Sequence, residues 1–168
     1  MAGTRTGVRR WRNWLYRGRR PHRLAGLLNR AQAALAAHGI GPSRIVVLEV
    51  TGRRTGRTVS LPVVVADLDG ERYLVSMLGE DSNWVRNVRA AHGRAVLRHR
   101  GRQQVVLEEV EPGSRAPVLR RYLDRAPGAR AHFTVDRRAP LEEFERIAAH
   151  YPVFRITTPS RTAGLERR

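Results

Sequence analysis

The spacing of apolar residues divides the chain into an early amphipathic helix followed by strands and helices. In residues 24–39, "LAGLLNRAQAALAAHG", apolar side chains recur at positions 24, 27, 28, 31 and 35, the spacing of one helical face. From Ile45 the pattern changes, and the runs "RIVVLEV" and "TVSLPVVVADL" predict two strands. The dipeptide Asp69-Gly70 then predicts a tight hairpin into the next strand.

The remaining residues continue this order of strands and helices. Four further strands are predicted over residues 71–78, 94–100, 102–111 and 152–159. Three further helices are predicted, from capping residues or a proline in the first turn, over residues 81–93, 114–126 and 139–151. Because tight turns join successive strands, we expect mostly antiparallel pairing and an α+β domain, with about six strands in a small, partly open barrel.

Charge is the feature of the composition that most changes this picture. The chain has 32 arginines, no lysine and 15 acidic residues, and its formal net charge is +17. A field this positive favours anionic partners, which include nucleic acid, an acidic membrane surface and a polyanionic small molecule. Guanidinium groups also match the geometry of phosphate and carboxylate better than ammonium groups do. Composition alone does not choose among these partners.

The ends of the chain differ from its middle in composition. Residues 1–23 form a basic arm in which aromatic residues are interleaved with arginine, and residues 159–168 form a basic tail. The first interpretation of the arm is an ordered cap or a disordered tail. The second is a segment that contacts anionic lipid or single-stranded nucleic acid. Residues 24–158 are predicted to form one domain. No apolar run approaches the roughly 20 residues of a membrane-spanning helix, so we predict a cytoplasmic protein, with membrane contact through the arm as the variant.

The turn "TGRRTG" between the first two strands is the first candidate site. Arg53, Arg54 and Arg57 repel one another on this short connection, which indicates that an anion binds there. Gly52 and Gly56 can adopt positive φ angles and point backbone N–H groups outward as an anion nest. The alternative is a solvated hairpin whose arginines serve solubility.

The segment "SMLGEDSNWVRN" is the second candidate site. It predicts a strand end, a turn at Gly79 and the start of a helix, and a helix N-terminus can bind an anion. Glu80 and Asp81 oppose that role locally. The alternative is that Trp84 packs in the core while Asn87 lies on the surface.

The sequence lacks the patterns of self-contained catalysis. It has no cysteine, and its six histidines show none of the spacings typical of metal ligands, so no metal site is predicted. If the protein is an enzyme, a cofactor should carry the chemistry.

The TGRRTG turn, Pro62, the Asp69-Gly70 hairpin and the later "NWVRNV", in this order, resemble the deazaflavin-dependent nitroreductase family. This family is a branch of the split β-barrel, flavin-binding superfamily, and the resemblance covers roughly residues 25–158. It implies a split β-barrel enzyme that transfers a hydride from the reduced deazaflavin coenzyme F-420 to quinones, nitroaromatics or similar acceptors. FMN as cofactor, a cofactor-binding protein without turnover and a nucleic-acid-binding module remain alternatives. The resemblance also allows a homodimer.

The resemblance further implies where the coenzyme binds. The TGRRTG segment would hold its phosphate and acidic tail, the second strand would lie against its ring, and the segment after the third strand would contact both. The implied coenzyme-binding residues are Arg53, Arg54, Thr55, Gly56, Arg57, Ser60, Pro62, Ser76, Met77, Leu78, Gly79, Trp84 and Asn87. Tyr122, His132 and Tyr151 are candidate proton donors or pocket walls, and packing is the alternative for each.

Overall fold

The computed structural model of the protein describes residues 44–159. The helix predicted over residues 24–39, the arm 1–23 and all but the first residue of the tail lie outside the described residues. The strands are β1 (Ile45–Thr51), β2 (Thr58–Leu68), β3 (Glu71–Val75), β4 (Arg94–Arg98), β5 (Arg102–Glu109) and β6 (Val153–Thr157). The helices are α1 (Asn83–Ala90), α2 (Ala116–Arg125) and α3 (Leu141–Ile147), and 3₁₀ turns cover Pro112–Ser114, Pro127–His132 and Ala148–His150.

The strands form a closed six-stranded barrel in the order β1-β2-β3-β6-β5-β4. Every ladder is antiparallel, which confirms the predicted α+β fold with six antiparallel strands and flanking helices. The expectation of a partly open barrel is wrong, because β4 pairs with β1 and the ring of six strands is closed. That pairing joins segments far apart in the chain, and local turn signals do not reveal it.

The strand boundaries follow the sequence pattern closely. Asp69 and Gly70 both have positive φ angles, 51° and 81°, as the predicted hairpin turn requires. The third strand, predicted to reach Leu78, ends at Val75 instead. It stops there because the hydroxyl of Ser76 donates a 2.7 Å hydrogen bond to the carbonyl of Gly79 and the chain turns.

Helix α1 fills one end of the barrel. Because side chains alternate along a strand, Val46, Leu48 and Val50 of β1 point inward, and they share one buried cluster with Val85 and Val88 of α1. Burying each such side chain contributes about 1.5–3 kcal/mol, so this contact fixes α1 at the barrel end beside the TGRRTG turn.

Helices α2 and α3 cover only part of the outer face of the barrel. Ala66 of β2 packs beneath Leu123 of α2 and Phe144 of α3 in a second buried cluster. Ser60 and Pro62 lie on the same outer face of β2, an even number of residues away, but neither belongs to that cluster. The first half of β2 is therefore left uncovered by the helices.

Candidate functional site

The turn between β1 and β2 is held by its own backbone. The N–H of Gly52 donates to the carbonyl of Arg57, and the N–H of Gly56 donates to the carbonyl of Gly52, both at 2.8 Å. The N–H groups of Thr55 and Arg57 are also used within the turn. The predicted nest of outward N–H groups is therefore wrong, because these donors close the turn. Positive charge offered to a ligand must come from the arginine side chains.

The three arginines of the turn fall into two groups. Arg53 donates from its backbone N–H (3.2 Å) and from Nη1 (2.9 Å) to Oδ1 of Asn87, and Nη2 lies 3.5 Å from Oδ1 of Asn83. Arg54 and Arg57 are exposed, and their guanidinium groups make no hydrogen bond or ion pair within residues 44–159. Arg54 and Arg57 are thus the groups available to an anion, whereas Arg53 fastens the turn to α1.

The two sequence motifs, the turn and the W-x-x-N helix, contact each other directly. Asn87 is 5% exposed, and its side-chain oxygen is occupied by Arg53. Asn87 therefore anchors the turn, and its predicted contact with the coenzyme stays a prediction. Trp84 is half-buried, with its ring 5.4 Å from that of Phe154 inside the barrel. The implied contact of Trp84 with the coenzyme stays a prediction.

Among the described residues, 44–159, the first half of β2 has one edge without a partner strand. Residues Thr58–Val64 pair with β1, whereas the ladder to β3 covers only the last part of the strand. The N–H of Val65 donates to the carbonyl of Arg44, so by alternation the backbone polar groups of Ser60 and Pro62 point away from β1. Proline is tolerated in this strand because the edge that would need its N–H has no partner strand. We call residues 58–64 the β2 edge.

The segment Ser76–Ser82, called here the 76–82 loop, connects β3 to α1. Ser76 is buried. Its hydroxyl donates to the carbonyl of Gly79 at 2.7 Å and lies 2.8 Å from the hydroxyl of Ser82. Ser82 was not among the predicted site residues, and only its place before the helix marks it. Met77 is half-buried against the outer cluster, while Leu78 is 53% exposed. Ser76 and Gly79 therefore shape the loop, and Leu78 gives it an apolar surface.

The buried arginine Arg115 supports residues 148–151, the segment beside the 76–82 loop. Arg115 donates from Nη1 to the carbonyl groups of Ala148 and Tyr151, both at 3.4 Å, and Nη2 lies 3.1 Å from Glu109. Glu109 also accepts from Arg89 of α1, and these contacts hold the pKa of the Glu109 carboxyl below its usual range, with the Arg89 hydrogen bond as the largest cause. Tyr151 is thereby tied to β5 and α1.

The three candidate proton donors lie in different environments. Tyr122 is 4% exposed within the outer cluster, and burial raises its pKa to about 12. Because the core encloses its ring, the packing alternative is favoured for Tyr122, and a role as proton donor stays a prediction. The hydroxyl of Tyr151 donates to the backbone carbonyl of His132 at 2.8 Å, and its ring stacks on Phe133 at 4.1 Å. Burial also raises the pKa of Tyr151. His132 and Tyr151 are neighbours and stay candidates.

Two cavities are lined by residues outside the predicted coenzyme set, and the second of them reaches Thr51 and Thr58 at the two ends of the turn. One of about 490 Å³ opens at the barrel end opposite the TGRRTG turn. Another of about 410 Å³ follows the outer face of β1, β4 and β5. In the part of the chain that the structure describes, no helix is long and apolar enough to cross a membrane. In the same residues, no group of three or more histidine, aspartate or glutamate side chains is placed to hold a metal ion.

Comparisons with known proteins identify one matching family and several similar structures. A sequence profile of one family, described as F420H(2)-dependent quinone reductase, matches residues 25–142. No curated protein sequence matches the chain. Among solved structures, an F420-H2 dependent reductase, FDR-A, is 17% identical with a TM-score of 0.46, over 67% of this chain and 93% of that one. The protein Atu2129, of unknown function, from Agrobacterium tumefaciens is 13% identical with a TM-score of 0.53, over 76% of this chain and 54% of that one. A chain described as a domain-swapped dimer is 16% identical with a TM-score of 0.48, over 79% of this chain and 92% of that one.

Proposed function

Because the chain belongs to the F420H(2)-dependent quinone reductase family, we propose that it transfers a hydride from the reduced coenzyme to a quinone, with nitroaromatics and similar activated molecules as further acceptors. Membership makes the protein an oxidoreductase that uses coenzyme F-420, which decides against FMN as its cofactor. Membership supports an enzyme over the alternatives of a cofactor-binding protein without turnover and a nucleic-acid-binding module. A cytoplasmic location and a homodimer stay predictions.

The pair of free guanidinium groups, Arg54 and Arg57, is the observation that carries this proposal. The coenzyme has a phosphodiester followed by a chain of glutamates, and both parts are anionic. Arg54 and Arg57 are exposed and unpaired beside the β2 edge, while Arg53 holds the turn in place from behind. Charge-assisted hydrogen bonds from such groups are stronger than neutral ones, so the residues present fit the anionic part of the coenzyme.

The β2 edge and the 76–82 loop suit the ring of the coenzyme. Ser60 and Pro62 present an uncovered outer face and a strand edge without a partner, and Leu78 adds an exposed apolar side chain. When bound, the reduced deazaflavin ring supplies the hydride. The protein's own share is to orient the reactants, which in well-aligned cases contributes about 7–11 kcal/mol to lowering the barrier. His132 and Tyr151 are the proposed groups for holding the proton that the acceptor takes up.

Binding of the coenzyme tests the role of the turn. We expect Arg54→Gln and Arg57→Gln each to weaken the affinity for coenzyme F-420 by about 10- to 150-fold, because each removes charge-assisted hydrogen bonds. Titration of the coenzyme's fluorescence measures the dissociation constant. Arg120→Gln is the matched control, since it removes the same charge from an exposed position on α2. Equal effects of all three variants, or none, would remove the turn from the site.

Turnover is a separate measurement. Oxidation of the reduced coenzyme, followed by its absorbance, is compared for a soluble quinone and a nitroaromatic. Reduced FMN serves as the control reductant. A quinone that is reduced only with F-420 supports the proposal. Tight binding of the coenzyme without reduction of either acceptor contradicts it.

A further inference from the structure

The barrel end opposite the TGRRTG turn holds a cavity of about 490 Å³ with an apolar floor. Val46, Val65 and Leu97 line it, and each of them belongs to or packs against the buried cluster of the barrel interior. Helix α1 fills the other end of the barrel, so the interior is reached from this end. We call this cavity the barrel mouth.

Polar side chains replace apolar ones at the rim of the barrel mouth. Because strand side chains alternate, a residue two positions from an inward-facing one also faces inward. Counting two positions toward the mouth from an inward-facing residue of the floor or the core gives Arg44, Asp67, Arg72, His99 and Gln103. All five residues line the cavity. Gly101, Arg102 and Arg125 complete the lining. The change from apolar to polar follows the depth of the barrel, and it occurs on β2, β3 and β5 and in the residues next to the ends of β1 and β4.

Two polar atoms of this lining are buried without a partner. Nδ1 of His99 and Nε of Arg125 make no hydrogen bond to any part of the chain that the structure describes. Buried polar groups are normally paired, because an unpaired one loses its hydration without compensation. Both atoms belong to residues that line the same cavity, so the polar groups of the rim are incompletely paired within residues 44–159.

The lining carries more cations than anions. Four arginines line the cavity and Asp67 is its one lining carboxylate. Asp67 already accepts hydrogen bonds from Arg121 and Arg125. Arg72 is bonded only to the neutral amide of Gln103, so its charge is not compensated within residues 44–159. The rim therefore attracts negative charge, while the floor repels a fully hydrated ion.

We propose that the barrel mouth binds a small organic anion, with a carboxylate on an apolar body. The carboxylate lies at the rim beside Arg72, Arg125 and His99, and the body contacts Val46, Val65 and Leu97. A free inorganic ion fits the rim but leaves the apolar floor unfilled, whereas an uncharged apolar molecule leaves the rim unsatisfied. This site goes beyond the proposed coenzyme site, which lies at the opposite end of the barrel.

Nuclear magnetic resonance of the full-length protein tests this proposal. The probe is octanoate, and octan-1-ol and inorganic phosphate are compared at the same concentrations. We expect octanoate to shift the methyl signals of Val46, Val65 and Leu97 and the ring signals of His99, while the methyl signals of Val59 at the β2 edge stay in place. Unchanged signals at the mouth overturn the proposal. Equal shifts with octan-1-ol or with phosphate overturn the assignment to an organic anion.

Two variants and one control separate the rim from general charge effects. Arg72→Gln removes an uncompensated cation, and Arg125→Lys keeps a cation for Asp67 but removes the Nε donor. We expect each to weaken octanoate binding about tenfold or more, and Arg120→Gln to leave it unchanged. Dispersed amide spectra confirm that each variant is folded, and if one variant unfolds the other still decides. Equal weakening by Arg120→Gln, or none by either rim variant, overturns the proposal.

Discussion

The two ends of the barrel are both rich in arginine, but they use it differently. At the turn end, α1 seals the interior, and Arg53 is fixed by the neutral amide of Asn87. At the barrel mouth the interior is open within residues 44–159, and Asp67 forms exposed ion pairs with Arg121 and Arg125. A sealed end leaves ligands to the outer surface and the β2 edge, whereas an open end offers the inside of the barrel. The positive charge thus serves two separate surfaces.

The largest expected effect tests how firmly the turn end is fastened. Asn87→Leu removes the acceptor of two hydrogen bonds from Arg53, one of them charged, and leaves a backbone N–H without a partner. We expect the free energy of unfolding to fall by about 2–3 kcal/mol, measured by urea denaturation. Asn83→Ala is the control, because its 3.5 Å contact with Arg53 is exposed. If both variants lose equal stability, Asn87 does not anchor the turn.

A smaller effect tests the shape of the 76–82 loop at the same end. Gly79 has a φ angle of +79°, and a β-carbon there would lie 3.2 Å from the carbonyl oxygen of His150. We expect Gly79→Ala to cost about 1–2 kcal/mol in unfolding free energy, since an L-residue is strained in this conformation. Gly56→Ala is the matched control, because its φ is +67° but no atom lies within 4 Å of the added carbon. A greater loss at Gly56 than at Gly79 would contradict the close contact.

The smallest effect concerns the pairs at the barrel mouth. Hydrogen bonds from Arg125 and then Arg121 lower the pKa of Asp67 to about 2, from an ordinary value near 3.8. The lowered value means that Asp67 adds stability above its unfolded pKa, and that this stability is lost as the pH falls through about 4 to 2. Since the Asp67 side chain is 54% exposed, screening keeps the contribution below about 1 kcal/mol.

We therefore expect Asp67→Asn to lower the unfolding free energy slightly at pH 7 and to match the wild type near pH 2. Urea denaturation at several pH values measures the difference, and added salt should reduce it. Asp69→Asn is the control, because Asp69 forms no ion pair in the described part of the chain. A difference that grows as the pH falls would contradict the assignment of the Asp67 pairs.

Much of the fold could be predicted from local patterns. The strand β2 begins and ends where the apolar run does, the Asp69-Gly70 hairpin has the required angles, and Pro117 lies in the first turn of α2 as expected. Each of these features depends on residues close together in the chain. The burial of the candidate site residues could not be predicted in the same way, since Asn87, a predicted coenzyme contact, and Tyr122, a candidate proton donor, are both buried. Burial depends on which elements pack together, and no single segment encodes that.

The sequence by itself determined the strands, the turns, the excess of arginine and the family to which the motifs point. Tertiary structure decided that Arg53 is held by a residue 34 positions away, that the edge of β2 is free at Ser60 and Pro62, and that polar side chains from five strands meet at the barrel mouth. The physical reason is the reach of each interaction. Backbone periodicity and turn geometry act over a few residues, whereas burial, pairing and the sharing of charge exist only after the barrel has closed.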